Sequence, residues 1–383
     1  METLFYLCAA LVVYTAVLYP AGLIALGLLR RVRPAAPGYA PRVSVIVAAC
    51  NEEEHLRAKL EQTLSLSYPA GEMEVIVAVD EGSADRTVEI ARAFEPRGIR
   101  VCLSPVRGKN ASMDRAVAMA TGEILVFTDA AGVLGRDAVL YLAAVFRDPR
   151  VGCVGGRLLF REHDAPGVRE DGVYWRLERA LYRGSSVLGY LPSTPGTIHA
   201  LRRSIYRPVG NHLVRDMVDP AQAAALGYRV VLEERAECLE VPWSGVGEIF
   251  RNRVRSTMRS TWAVPCVVGG LLRGRRWTAA FQFVSHKLLR QQIWVPLAGM
   301  LACSLWLAPT RPGYAAIAAG LLAGCAAGGV GLLAAWRGRR VPGLSMAGYM
   351  LLTVAAMGVG TLRCFVGQRA VLWRTPVHPP LPA

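Results

Sequence analysis

Three apolar runs end on residues that can do chemistry. "VSVIVAACN" reaches Asn51, with Glu52 beside it, "MEVIVAVD" ends on Asp80, and "EILVFTDAAG" runs through apolar residues to Asp129. Short runs rich in β-branched and aromatic residues read as buried strands. Each polar residue therefore marks the point where a buried strand emerges. In a largely parallel α/β sheet, ligands bind beyond the carboxyl ends of the strands, so three polar side chains at such ends point to one site. Taken singly, each could be a helix cap or turn residue, and Asp85 in "SADRT" and Asn51 ahead of a helix are well placed for that. Their order along the chain is what argues for a site.

The elements that must position them follow in sequence. After the linker "RPAAPGYAPR", the strand "VSVIVAA" leads into "NEEEHLRAKLEQTLSLSYP", a loop opening a helix that Pro69 closes. "MEVIVAVD", "SADRTVEIARAFE", "IRVCLS", "KNASMDRAVAMATG" and "EILVFTDA" continue as strand, helix, strand, helix, strand. Strands alternating with helices imply an α/β domain with a mostly parallel sheet and helices on both faces.

The 383 residues are 53% hydrophobic, with mean hydropathy +0.30. That is too apolar for an ordinary soluble protein, yet charged enough for a full globular domain. The apolar excess lies in Thr3 to Leu29 and in stretches near Gln292 to Ala308, Tyr314 to Trp336 and Leu344 to Leu362, each close to the roughly 20 residues that cross a hydrocarbon core. The first run lacks a preceding basic residue, and Arg30, Arg31 and Arg33 follow it. It therefore reads as a retained anchor rather than a signal peptide, with the amino terminus outside and the middle domain cytoplasmic. Three full spans after that domain would put Arg369 and Arg374 outside, so either the last helix is interfacial or the tail breaks the charge rule.

The expected organisation is an anchor at 1–30, a linker at 31–41, the α/β domain at 42–245, basic interfacial helices at 246–290, two or three membrane helices at 291–368 and a tail at 369–383. Nine cysteines without a CxxC pair argue for reduced thiols. The net charge of +15 gathers in "RNRVRSTMR", "LRGRRW" and "WRGRR" beside the apolar segments, which favours anionic lipid headgroups over nucleic acid as the partner.

The blocks "VSVIVAACNEEEHL", "EVIVAVDEGSADRT", "RGKNASMDRAVAMATGEILVFTDA", "DPRVGCVGGRL" and "GYRVVLEERAECLE" resemble, in order and spacing, those of the membrane-bound family 2 inverting glycosyltransferases of GT-A fold, the polysaccharide synthase branch. The likeness runs from about Arg42 to Arg259, and "FVSHKLLR" and "LWRTP" are similar to elements flanking that branch's last helices. It implies a nucleotide-sugar donor, UDP-linked, and a divalent metal, Mg2+ or Mn2+, that neutralises the departing diphosphate. It also implies a general base beside the acceptor. By the resemblance, Asn51, Glu52 and Asp80 contact the base and ribose, Lys109 lies along the nucleotide, Asp129 is the metal ligand and Asp216 is the base. Arg255 stands in place of the phosphate-linked arginine of the QxxRW motif.

The chain departs from the pattern at Ala131, where the family has a second acid, at Arg215, ahead of the catalytic aspartate, and at Ser256, where the family has tryptophan. His199 is a candidate extra metal ligand or a structural histidine, and Asp219, the alternative to Asp216 as base, fits with Pro220 the start of a helix. Tyr174, Trp175 and Glu178 share a helix that resembles the acceptor region, as core or as sugar platform, and Gly196 would let backbone approach the donor sugar. The resemblance implies a multi-pass enzyme of the inner (plasma) membrane acting on a lipid-linked or polysaccharide acceptor. A dimer or a separate exporter is needed if the product is a polymer. The competing reading is a degenerate relative that binds nucleotide or glycan as a partner subunit without transferring.

Overall fold

The computed structural model describes residues 1–30, 34–36, 38–160, 168–240 and 245–371, the side chains of 168–174 excepted. An apolar helix α1 (Glu2–Leu29), which carries a π-helical turn at Tyr14–Leu18, precedes the sheet domain. Then come β1 (Val43–Ala49), α2 (Leu56–Leu64), β2 (Met73–Asp80), α3 (Thr87–Ala93), β3 (Arg100–Ser104), α4 (Lys109–Met119), β4 (Ile124–Asp129) and the short β5 (Val133–Leu134). The chain continues through α5 (Ala138–Val145), β6 (Val151–Phe160), α6 (Val168–Val187), β7 (Ile198–Arg202), α7 (Arg215–Ala225) and β8 (Arg229–Glu240). It ends in α8 (Val246–Arg273), α9 (Trp277–Phe283), a second π-helical turn at Val284–Leu288, α10 (Trp294–Leu307), α11 (Pro312–Trp336) and α12 (Leu344–Phe365). The "LWRTP" stretch, Arg374 and most of the 369–383 tail lie outside the described residues.

The eight strands form one sheet in the order β3-β2-β1-β4-β7-β6-β8-β5. β1 pairs in parallel with β2 and β4, β2 with β3, and β6 with β8, whereas β7 runs antiparallel to both of its neighbours. The sheet is thus mostly parallel, as the alternation predicts. All seven β1 residues are buried because both faces are covered. Val43, Val45, Val47 and Ala49 pack with α2, α3 and α5, while Ile46 and Ala48 pack with α4, α7 and α8. This two-residue period sets the register, and each fully buried Val or Ile contributes about 1.5–3 kcal/mol. α2 stops at Leu64, short of Pro69, because Ser65 turns back to bond the Gln62 carbonyl.

Three described helices are long and apolar enough to cross a membrane, Glu2–Leu29, Pro312–Trp336 and Leu344–Phe365, while Trp294–Leu307 is shorter. Its 14 residues span about 21 Å, yet it does not stand alone. The segment from Phe281 to Arg311 runs antiparallel along α1. Tyr19 lies against Phe281 and His286, Tyr14 bonds Ser285, Phe5 packs on Cys303, and Glu2 ion-pairs Arg311 at 2.7 Å. Both π-turns sit in this seam, facing each other through the Tyr14–Ser285 bond.

α12 behaves differently from a free span. Along α8 it makes contact at Tyr349 with Arg253, at Ala356 with Val254 and Met258, and at Gly360 with Thr257. Beyond its end, Gln368 O accepts from Trp262 and Arg369 lies over the Trp262 ring. α8 is itself a domain helix, because Ala263, Val267 and Leu271 enter the core. The sequence leaves open whether the last apolar helix crosses; the structure lays it along a domain helix. All nine cysteines are free thiols.

Candidate active site

β1, β2 and β4 lie side by side in register, so their carboxyl ends bring Asn51, Asp80 and Asp129 to one edge. Asn51 takes the left-handed conformation (φ 54°), which asparagine tolerates better than most residues. Its Oδ1 accepts from the Ala84 amide at 2.7 Å, tying the β1 loop to the β2 loop. Asp80 uses both oxygens on loops: Oδ1 accepts from Gly82 N at 2.8 Å and Oδ2 from Gly108 N at 2.9 Å. Glu52 is buried, its amide donates to Thr87 Oγ1 at 2.7 Å, its carboxylate meets His55, and burial raises its pKa. Asp85 accepts from the Thr87 amide in a turn just ahead of α3, whose N-cap position is Arg86 rather than Asp85.

Lys109, the first residue of α4, ion-pairs the Asp129 carboxylate. The alanines that follow are needed where they stand, since Ala130 and Ala131 are 0% and 6% exposed, and a Cβ on Gly132 would meet Cys238 Sγ at 2.9 Å. Beneath this turn lies a residue the sequence reading missed. Lys59 of α2 is fully buried; its Nζ donates to Thr128 Oγ1 at 2.9 Å and to Gly132 O at 2.5 Å, and it pairs with no carboxylate among the described residues. Burial lowers its pKa to about 8. The signal was available: Leu56, Lys59, Leu60 and Thr63 form the buried stripe of α2, with a charge on an apolar face.

The expectation that Asp219 and Pro220 start a helix is corrected. α7 begins at Arg215, and Pro220 lies inside it. A proline there removes the amide that would bond the Asp216 carbonyl; that carbonyl instead accepts from Thr194 N at 2.8 Å. The exchange clamps the 194–196 loop over Asp216, and a Cβ on Gly196 would lie 3.7 Å from Asp216 Oδ2. Asp219 is 0% exposed and holds Arg215 and His199 at 3.4 and 3.3 Å. Arg215 also pairs with Asp114 and stacks over Phe127 and Tyr206. His199, stacked on Phe127 with its Nε2 on Asp219, belongs to this buried network.

Asp216 stays out of that network. Burial raises its pKa, and Lys287, His199, Arg259 and Lys109 oppose the rise. Arg259 donates to Leu213 O at 2.6 Å and is held in the fields of both Asp216 and Asp129. It is the second residue the sequence reading missed, one helical turn beyond Arg255, whose Nη2 bonds Asn252 on the same helix at 2.8 Å. Glu178 is 1% exposed, and His286, Lys287 and Arg290 all reach its carboxylate within 3.1 Å; that burial makes it an internal anchor rather than part of a sugar platform. Trp175 lies against Phe160, while the Tyr174 side chain is outside the described residues.

Among the described residues, no three His, Cys, Asp or Glu side chains form a metal-holding group. Asp129 stands as a single part-exposed carboxylate, which fits a hard cation shared with phosphate oxygens and water and not a cation held by protein alone.

Residues 44–210 match the glycosyl transferase family 2 domain. The chain is 27% identical over 221 residues to the poly-β-1,6-N-acetyl-D-glucosamine synthase of Staphylococcus epidermidis, covering 56% of this chain and 53% of that one. It is 32% identical over 123 residues to the β-monoglucosyldiacylglycerol synthase of Trichormus variabilis, 30% of this chain and 26% of that one. The chain thus spans about half the length of the first of these relatives and less of the second. Among solved structures it superimposes on the mannosyltransferase PcManGT of Pyrobaculum calidifontis, solved with GDP-mannose and Mn2+, with TM-score 0.70 and 22% identity, covering 96% of this chain and 100% of that one. The fold is GT-A-like.

Proposed function

From a chain whose residues 44–210 are a glycosyl transferase family 2 domain, we propose an inverting glycosyltransferase of the inner (plasma) membrane. It moves a sugar from a nucleotide sugar, UDP-linked, to a lipid-linked or polysaccharide acceptor on the cytoplasmic face. One observation carries the reading: Lys109 and Arg259 reach the fields of both Asp129 and Asp216, so the acid at the β4 end and the acid of α7 border one cationic space.

In this account Asn51, Glu52 and Asp80 frame the base and ribose, and the loops that Asp80 ties together form the nucleotide's floor. Lys109 and Arg259 meet the diphosphate, Arg255 adds charge one turn away, and guanidinium and ammonium groups suit phosphate oxygens. A divalent cation, Mg2+ or Mn2+, held by Asp129 would neutralise the departing diphosphate. Asp216, its proton affinity raised by burial, takes the proton of the acceptor hydroxyl. That oxygen bonds the anomeric carbon from the face opposite the diphosphate, the bond to the leaving oxygen breaks, and the configuration inverts.

The membrane arrangement supports a cytoplasmic site. With α1 and the 281–311 segment antiparallel and α12 along α8, the arginines of "WRGRR" and Arg369 fall on the domain side, as the charge rule asks. A binding-only reading draws on Ala131 and on the ammonium of Lys109 already paired with Asp129. The two are separated by release of nucleoside diphosphate from the purified full chain across UDP- and GDP-sugars with Mg2+ or Mn2+, lipid extract supplying the acceptor. Turnover is the expected result; nucleotide binding without turnover under every donor would favour the binding subunit.

A further inference from the structure

A cavity of about 1060 Å3 opens on the other side of the domain, between the end of α1 and the sheet. Val151 and Arg229, the first residues of β6 and β8, line it. Both strands run parallel to β4, so it lies at the edge opposite Asp129. Ile24 and Leu28 of the anchor helix form an apolar wall, and Leu28 and Leu29 are 71% and 84% exposed where the helix ends. Five arginines and three acids face the space. Arg183, Arg229 and Arg235 are matched by Glu234, Asp148 and Glu233. Arg30 and Arg147 have no carboxylate within ion-pair distance among the described residues, which leaves two positive charges at the mouth.

We propose that this cavity binds one membrane phospholipid with an anionic headgroup. The phosphate meets Arg30 and Arg147, and an acyl chain runs along Ile24 and Leu28. Three features select this occupant. The volume is at the upper end for a small-ligand site. The wall changes from aliphatic to cationic at the point where an apolar, membrane-length helix ends, the position at which basic pockets hold anionic headgroups. Among the described residues no aromatic side chain lines the space, so a nucleotide finds no ring there on which to stack. The bound lipid would brace the anchor against α6, because the two helices already touch backbone to backbone: a Cβ on Gly184 would lie 2.0 Å from Leu23 O.

The test uses the full chain in detergent, with binding as its readout, so its outcome is independent of the transferase reading. Phosphatidylglycerol and phosphatidylcholine are added in turn, and retained lipid is counted by native mass spectrometry beside the shift in thermal midpoint. Roughly tenfold preferential retention of phosphatidylglycerol is expected. The R30E/R147E double variant should abolish the preference, and Ala180→Trp, which fills the cavity, should abolish retention with the charges intact. Arg92→Glu, exposed on α3 away from the cavity and from the apolar segments, should change nothing. Equal retention of the two lipids would overturn the proposal, as would a preference that survives both cavity variants. Equal stabilisation by soluble glycerol 3-phosphate would also overturn it, since the site would then be one for free phosphate.

Discussion

Lys59→Met tests whether a buried, unneutralised ammonium supports the Asp129 turn. Folding lowers the Lys59 pKa from 10.5 to about 8. The unfolded chain therefore binds more protons between those values, and stability rises with pH through that window. From the two values, the penalty is about 3 kcal/mol at pH 7, where the buried amine is still charged, and about 1 kcal/mol at pH 9.5, where the folded chain has given up that proton, so the parent gains about 2 kcal/mol on that rise. A titrating neighbour does not blur the comparison, because burial pushes the Cys238 thiol up to about 12 and it stays protonated. Lys59→Met sheds this penalty and loses the bonds to Thr128 and Gly132. It should be close to the parent in stability at pH 7 and about 2 kcal/mol worse, relative to it, at pH 9.5. Thermal unfolding of both proteins at the two pH values, in the same detergent, reads the difference. Curves that stay parallel to within about 0.5 kcal/mol would refute the reasoning and mean that Lys59 is solvated or neutral throughout.

Other consequences follow from named contacts. Glu178→Gln strips the buried counter-charge from Lys287 and Arg290, so it should cost about 3–5 kcal/mol and appear as a lowered thermal midpoint. Gly184→Ala forces a methyl group into the Leu23 carbonyl, with no flexible side chain to yield, and should destabilise by about 1–3 kcal/mol in the same assay. Arg259→Gln removes one of the cations that hold down the Asp216 pKa. The acid limb of the kcat/KM profile should therefore move up, by about 0.5–1 pH unit, while a limb that stays fixed would take Arg259 out of the site.

The sheet was legible because burial on both faces leaves continuous apolar runs, and the polar residue closing each run marked the edge: Asn51, Asp80 and Asp129 were found that way. What lay hidden depended on contacts between distant segments. Pro220 looked like a helix start because nothing local says that Thr194 will take the carbonyl it frees. Arg255 and Arg259 lie four residues apart on one face of α8, so spacing along the chain could not tell which guanidinium reaches the carboxylates. The sequence leaves open whether α12 crosses, since hydropathy marks it as long and apolar enough to do so but is blind to the packing of Tyr349, Ala356 and Gly360 on α8. Lys59 could have been read, as a lone charge in the apolar stripe of α2.

The most direct test of the central claim compares Asp216→Asn with the parent in nucleotide binding and in sugar transfer, using whichever donor the parent turns over. Asparagine keeps the size of the side chain and the Thr194 clamp, which uses the backbone carbonyl, but cannot take a proton. The account predicts unchanged nucleotide affinity with kcat reduced about 100-fold or more. Transfer at the parent's rate would contradict it and move the base elsewhere on the edge.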